Sequence, residues 1–209
     1  MSRRVKDVTQ AWGIINVQGP QSRNFLKPLI PELENLKFSR SVDVSLGGVD
    51  VTVYRLTYVG ELGYEIHTPR DTCGHVLDTL LSAGPRLRFA GTEAMESLAV
   101  EAGYRHWPAD ISQVFHELPK LDGRLPHFTQ IDTPLEAGMG WVCSKTKQFR
   151  GRQKMMERQR SPGHKKLISL ALDPEALVVG SEPMVCDGAV VGYVRRAETG
   201  QLANVEQNK

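Results

Sequence analysis

Two β-rich runs, Val42 to Leu46 and Val49 to Tyr58, are separated only by Gly47-Gly48. Glycine reaches positive φ without steric cost, and the type I′ turn of a tight two-residue hairpin needs positive φ at both central positions. The arrangement therefore predicts two antiparallel strands joined by the shortest connection a sheet allows. A chain with that local pairing is not built on parallel strands alone, and the fold must accommodate at least one antiparallel ladder.

The rest of the first half fits an α+β plan. Ala11 to Gln18 predicts a buried strand, and Gly19-Pro20 opens a short helix reaching about Lys27, before Pro28. Gly63 to Thr68 is another strand after the turn Gly60-Glu61-Leu62-Gly63. Asp71 is expected to cap a helix from about Thr72 to Leu81, with Val76, Leu77, Leu80 and Leu81 on its apolar face. Thr92 to Ala102 predicts an amphipathic helix ending at Gly103. Regular signals fade from Tyr104 to Asp132. Order resumes at Pro134 to Val142, a helix follows at Phe149 to Arg160, and Ser161-Pro162-Gly163 ends it. Leu167 to Leu172, Ala176 to Cys186 and Ala189 to Arg195 predict strands, the last two joined by Asp187-Gly188.

Composition narrows the function classes. The 209 residues are 40% hydrophobic and 24% charged, enough for a buried core and unlike a disordered chain. The net charge of +2 gives no global case for nucleic acid or membrane binding. Charge is concentrated between Lys145 and Lys166, where nine Lys or Arg stand against Glu157. A solvated basic helix and loop is the plain reading. If it binds an anion, a carboxylate-bearing tail suits it better than nucleic acid, because Phe149 is its only aromatic residue. Cys73, Cys143 and Cys186 are odd in number and show no paired spacing, so neither a disulfide framework nor a zinc site is expected. No apolar run reaches membrane-spanning length, and no secretory or convincing transit signal follows Met1-Ser2-Arg3-Arg4. Nucleotide-cradling G-x-G-x-x-G and P-loop patterns are absent, as is a G-x-S-x-G elbow. The histidines are scattered, and no metal site is expected.

Several strings carry a resemblance. Asn16-Val17-Gln18-Gly19-Pro20-Gln21-Ser22 and Tyr58-Val59-Gly60-Glu61-Leu62-Gly63-Tyr64-Glu65 come first. Glu101 to Asp110, Thr133-Pro134-Leu135-Glu136-Ala137-Gly138 and Gly188 to Ala197 follow in order. Together they resemble the glycine-cleavage T-protein, or aminomethyltransferase, family of folate-binding modules. The wording around Gly103-Tyr104-Arg105-His106-Trp107 and Tyr193-Val194-Arg195-Arg196-Ala197 is most similar to the C-terminal part of sarcosine dehydrogenases.

The resemblance implies a fold of antiparallel sheets with packed helices, followed by an incomplete small β-barrel. It implies a partial folate-binding domain over 8–160 with an insertion at 111–132, a partial barrel over 161–197 and a tail over 198–209. It implies tetrahydrofolate, with or without a polyglutamate tail, as ligand. It also implies one-carbon transfer that makes methylenetetrahydrofolate as sarcosine becomes glycine, and a mitochondrial matrix location. FAD would belong to a separate flavin domain of a longer form, a partner of this module rather than a ligand of this chain. The family's catalytic aspartate is expected upstream of the matching region, so no catalytic residue is assigned here. A non-catalytic regulatory or binding protein on the same fold, or a truncated isoform without activity, is the alternative. Unaided turnover of sarcosine is not expected, because hydride removal needs a cofactor.

The implied binding residues are Glu65, Tyr58 and Tyr64. A pterin presents a ring N–H beside an exocyclic amine, and a carboxylate accepts both in one plane. Strand alternation puts Glu65 and His67 on one face and Tyr64 and Ile66 on the other, which makes the latter pair core candidates. Tyr58 has a competing role as a cross-strand packing residue. Glu61 reads as a turn residue. Met95 stands where the family places a folate-contacting arginine, so that contact is not expected.

Overall fold

The computed structural model describes residues 5–84, 87–106, 110–111, 133–173, 175–178, 180 and 182–198. The chain forms two compact units, Met1–Leu98 and Ala99–Lys209. The division falls inside a helix, well before the Ser161 expected from sequence. Of the expected insertion, 112–132 lies outside the described residues, as does the tail from 199 onward.

The first unit is a four-stranded antiparallel sheet with helices on one face. Its strands are β1 (Trp12–Gln18), β2 (Ser41–Leu46), β3 (Val49–Tyr54) and β4 (Gly63–Pro69), in the order β1-β4-β3-β2. The glycine hairpin stands as expected, with φ of 61° at Gly47 and 81° at Gly48. β3 stops at Tyr54 rather than Tyr58. β1 is an edge strand with Trp12, Ile14 and Asn16 exposed, so the strand expected to be buried is covered on one face only.

The helices α1 (Ser22–Leu26) and α2 (Cys73–Ala83) and a 3-10 turn at Pro31–Asn35 supply the other half of the core. Leu26, Ile30 and Leu33 join Val76 and Leu80 against Val53, Tyr64 and Ile66 of the sheet. α2 begins one residue later than predicted and without side-chain capping by Asp71. Instead, Thr72 Oγ1 donates to Pro69 O at 2.9 Å and sits 2.9 Å from Thr68 Oγ1, closing the strand-to-helix corner. α3 (Thr92–Glu101) matches its expected start, and Gly103 beyond it has a φ of 73°.

In the second unit two buried carboxylates gather the chain. Glu136, 2% exposed, accepts from Arg158 Nε at 3.1 Å and from the Lys165 N–H at 3.0 Å. Its own carbonyl accepts from the Leu167 N–H at 2.8 Å. Arg158 lies on α4 (Arg152–Arg160), so part of the basic stretch is engaged internally. Asp110, also 2% exposed, accepts from the His106 N–H and from Arg196 Nη2, each at 2.7 Å. Such buried charges are tolerated only when paired and hydrogen-bonded.

A β-hairpin of β5 (Pro183–Cys186) and β6 (Ala189–Tyr193) turns through Asp187 and Gly188. Leu167 to Leu172 forms no strand, and among the described residues of Ala176 to Cys186 only the last four do. Alternating apolar residues mark a strand only if a neighbour offers a ladder.

Replacing Ile66 with alanine should cost about 2–5 kcal/mol, because the cavity opens under a strand paired on both sides. The same change at Ile14, on the exposed face of the neighbouring strand, should cost under about 0.5 kcal/mol. Urea unfolding of the two variants checks the assignment of faces, and equal losses would contradict it.

Candidate functional site

The sheet has one face on the helices and an outer face, and the site residues divide between them. On β4, Tyr64, Ile66 and Thr68 are each 0% exposed. Glu65 and His67 point the other way, with side chains 26% and 27% exposed. The alternation expected from sequence is the one observed.

Cross-strand register assembles the surroundings of Glu65. Asn16 of β1 stands opposite it on one side and Tyr54 of β3 on the other. His67 lies one step along the same face, opposite Ile14 and Thr52. His67 Nε2 is 3.1 Å from Glu65 Oε2, and its ring packs against Tyr54 with centroids 4.7 Å apart. Glu65 Oε1 has no hydrogen-bond partner among the described residues. The carboxylate is thus oriented at one oxygen and open at the other. An oxygen held by one donor still has a lone pair to offer, so the group can accept two further N–H donors in one plane.

The two first family strings meet in space, which no local pattern reveals. The Gly19 N–H donates to Leu62 O at 2.8 Å, and Ser22 Oγ donates to the same carbonyl at 3.0 Å. Arg23 Nε donates to the Tyr64 hydroxyl at 2.9 Å. The turn after β1 is thereby latched to the turn before β4, and the latch sets where Glu65 begins its run along the sheet.

The other named residues are placed differently. Tyr64 fills the core, and its only polar atom is engaged by Arg23. Tyr58 lies past the end of β3, so it is not a cross-strand packing residue. Its hydroxyl donates to Glu96 of α3 at 3.2 Å. Glu61 is exposed in the turn before β4 and makes no hydrogen bond among the described residues. Met95 is partly buried on α3, next to Glu96. His67, Tyr54 and Asn16 were not singled out from sequence. Alternation put His67 beside Glu65, but strand register was needed to bring in the other two.

A shallow groove also crosses the outer face, lined by Trp12, Asp43, Asp50 and Thr52, and it does not include Glu65. Among the described residues no cluster of His, Cys, Asp and Glu could hold a metal ion. No helix among them is long and apolar enough to cross a membrane.

A partly exposed carboxylate thus stands on the outer face of an antiparallel α+β sheet, with an aromatic ring on one neighbouring strand and an amide on the other. The chain belongs to the GCVT N-terminal domain family, which matches residues 2–119. It is 37% identical to mitochondrial sarcosine dehydrogenase of Mus musculus over 96% of this chain and 21% of that protein. Identity to the Homo sapiens counterpart is 35%, over 93% of this chain and 20% of that one. The aminomethyltransferase of Halothermothrix orenii is 28% identical over 88% of this chain and 48% of its own length. The chain thus spans about a fifth of the sarcosine dehydrogenases and about half of that aminomethyltransferase.

The Tyr64–Arg23 bond generates a prediction. Tyr64→Phe keeps the ring in the core and removes the acceptor for Arg23 Nε. A stability loss of about 0.5–1.5 kcal/mol is expected, read as a shift in the denaturation midpoint with the slope unchanged. An unchanged midpoint would mean that this bond does not hold the latch.

Proposed function

We propose that this chain is the tetrahydrofolate-binding, one-carbon-transfer module of a sarcosine dehydrogenase-like protein. In the whole protein a flavin-bearing domain with FAD would oxidise sarcosine, and this module would pass the carbon to folate as glycine and methylenetetrahydrofolate form. Its place would be the mitochondrial matrix. Family membership and the relatives named sarcosine dehydrogenase and aminomethyltransferase support this reading. The hairpin of β5 and β6 is read as the beginning of a terminal barrel.

The observation that carries the binding assignment is the state of Glu65. Its side chain is 26% exposed, its Oε2 is steadied by His67, and its Oε1 is free of protein partners among the described residues. A pterin ring N–H and its neighbouring amine fit that carboxylate as a charge-assisted pair. Tyr58 would border the site from the loop after β3. Tyr64 would act from the core side, holding β4 in register beneath Glu65.

Titration of the chain with tetrahydrofolate under reducing, anaerobic conditions tests the assignment. Glu65→Gln keeps the shape but turns one acceptor into a donor facing a donor. Affinity should fall by about 5- to 150-fold, the equivalent of about 1–3 kcal/mol. Superimposable titration curves for the two proteins would remove Glu65 from the site.

A further inference from the structure

Glu65 is not the only polar side chain on the outer face without a full set of partners. Gln18, the last residue of β1, has its Oε1 buried with no hydrogen-bond partner among the described residues. An orphaned buried acceptor is uncommon in a folded protein and forfeits the hydrogen bond it had in water.

The seat of that amide is specific. Gln18 stands opposite Gly63 in the β1–β4 ladder. A Cβ at Gly63 would collide with the Gln18 amide oxygen and carbon, and would lie 2.7 Å from its nitrogen. Gly63 is a strand residue without positive φ, so its backbone does not demand glycine. What glycine supplies here is room for the amide.

Two residues along each strand from that pair stand Asn16 and Glu65. Gln18 and Glu65 are therefore diagonal neighbours on one face, roughly 7–8 Å apart at their backbones. That spacing lets two long side chains reach one edge of a single bicyclic ring.

The ligand's chemistry supplies what Gln18 lacks. The edge of a pterin beside N3 carries three hydrogens, one on N3 and two on the 2-amino group. A carboxylate bound in the plane takes the N3 hydrogen and the nearer amino hydrogen, leaving the outer amino hydrogen unpaired. We propose that Gln18 is a second ligand-contacting residue of this site, whose amide oxygen accepts that remaining 2-amino hydrogen. This rests on the reading of Glu65 as the pterin carboxylate. The move from the seat over Gly63 to the ligand breaks no hydrogen bond of the oxygen, because it has none to break. The residue thereby selects for ligands that carry the 2-amino group.

The test compares two ligands, tetrahydrofolate and its 2-deamino counterpart, on the 209-residue chain and two variants. Gln18→Met keeps the length and removes the acceptor. It should weaken tetrahydrofolate by about 3- to 10-fold and leave the 2-deamino ligand unchanged. Glu65→Gln should weaken both ligands, because N3–H is present in each. A folded Gln18→Met protein that retains the wild-type preference overturns the proposal, as does an equal loss for both ligands, which marks a structural role. If Glu65→Gln binds both ligands as wild type does, the pterin site itself is misplaced and Gln18 falls with it.

Discussion

The first unit depends on one strand being paired on both sides. β4 lies between β1 and β3, so its alternation cannot drift without breaking two ladders at once. Tyr64, Ile66 and Thr68 enter the core, and Glu65 and His67 are left on the open face. A slip of one residue would drive a carboxylate into the apolar layer and lift three buried side chains out of it. Both ends of the strand are tied against such a slip. The Leu62 carbonyl is held by Gly19 and Ser22 before it, and Thr68 meets Thr72 after it. The position of Glu65 is thus a consequence of packing, and its availability to a ligand follows from that position.

Much of this plan is legible in the residues alone. Gly47-Gly48 specifies its hairpin through local backbone chemistry, and the alternation of Gly63 to Thr68 reports its two faces through a period of two. Thr92 to Glu101 is legible for a similar reason, since helix start signals are local. The failures are equally physical. β3 ends at Tyr54 because a strand lasts only as long as its partner, and β4 is paired to it only from Thr52 to Tyr54. Leu167 to Leu172 alternates well enough, but its first N–H goes to Glu136 rather than to a ladder. The seat of Gln18 over Gly63 joins residues 45 positions apart, and a glycine in a strand gives no hint of what lies on it.

The family strings separate by what they do. The first two latch together and frame the outer face around Glu65. The later ones build the second unit around charge. Asp110 draws in Arg196, and Glu136 draws in Arg158, each carboxylate also taking a backbone N–H. Removing one partner from such a pair leaves a buried charge uncompensated, which is more costly than never having had the pair. A string that carries the family resemblance is therefore not by itself a string placed to meet a ligand.

The proposed function requires a reduced folate to meet this chain on the outer face around Glu65. The direct measurement is a titration of the isotope-labelled protein with tetrahydrofolate, followed through backbone amide resonances. Saturable shifts are expected on the outer-face run around Glu65, at Asn16, Gln18, Tyr54 and His67. The core-facing amides of α2, such as Val76 and Leu80, should move little. Shifts confined to the groove by Trp12 and Asp50, or no saturable shift at millimolar ligand, would contradict the assignment of this face as the folate site.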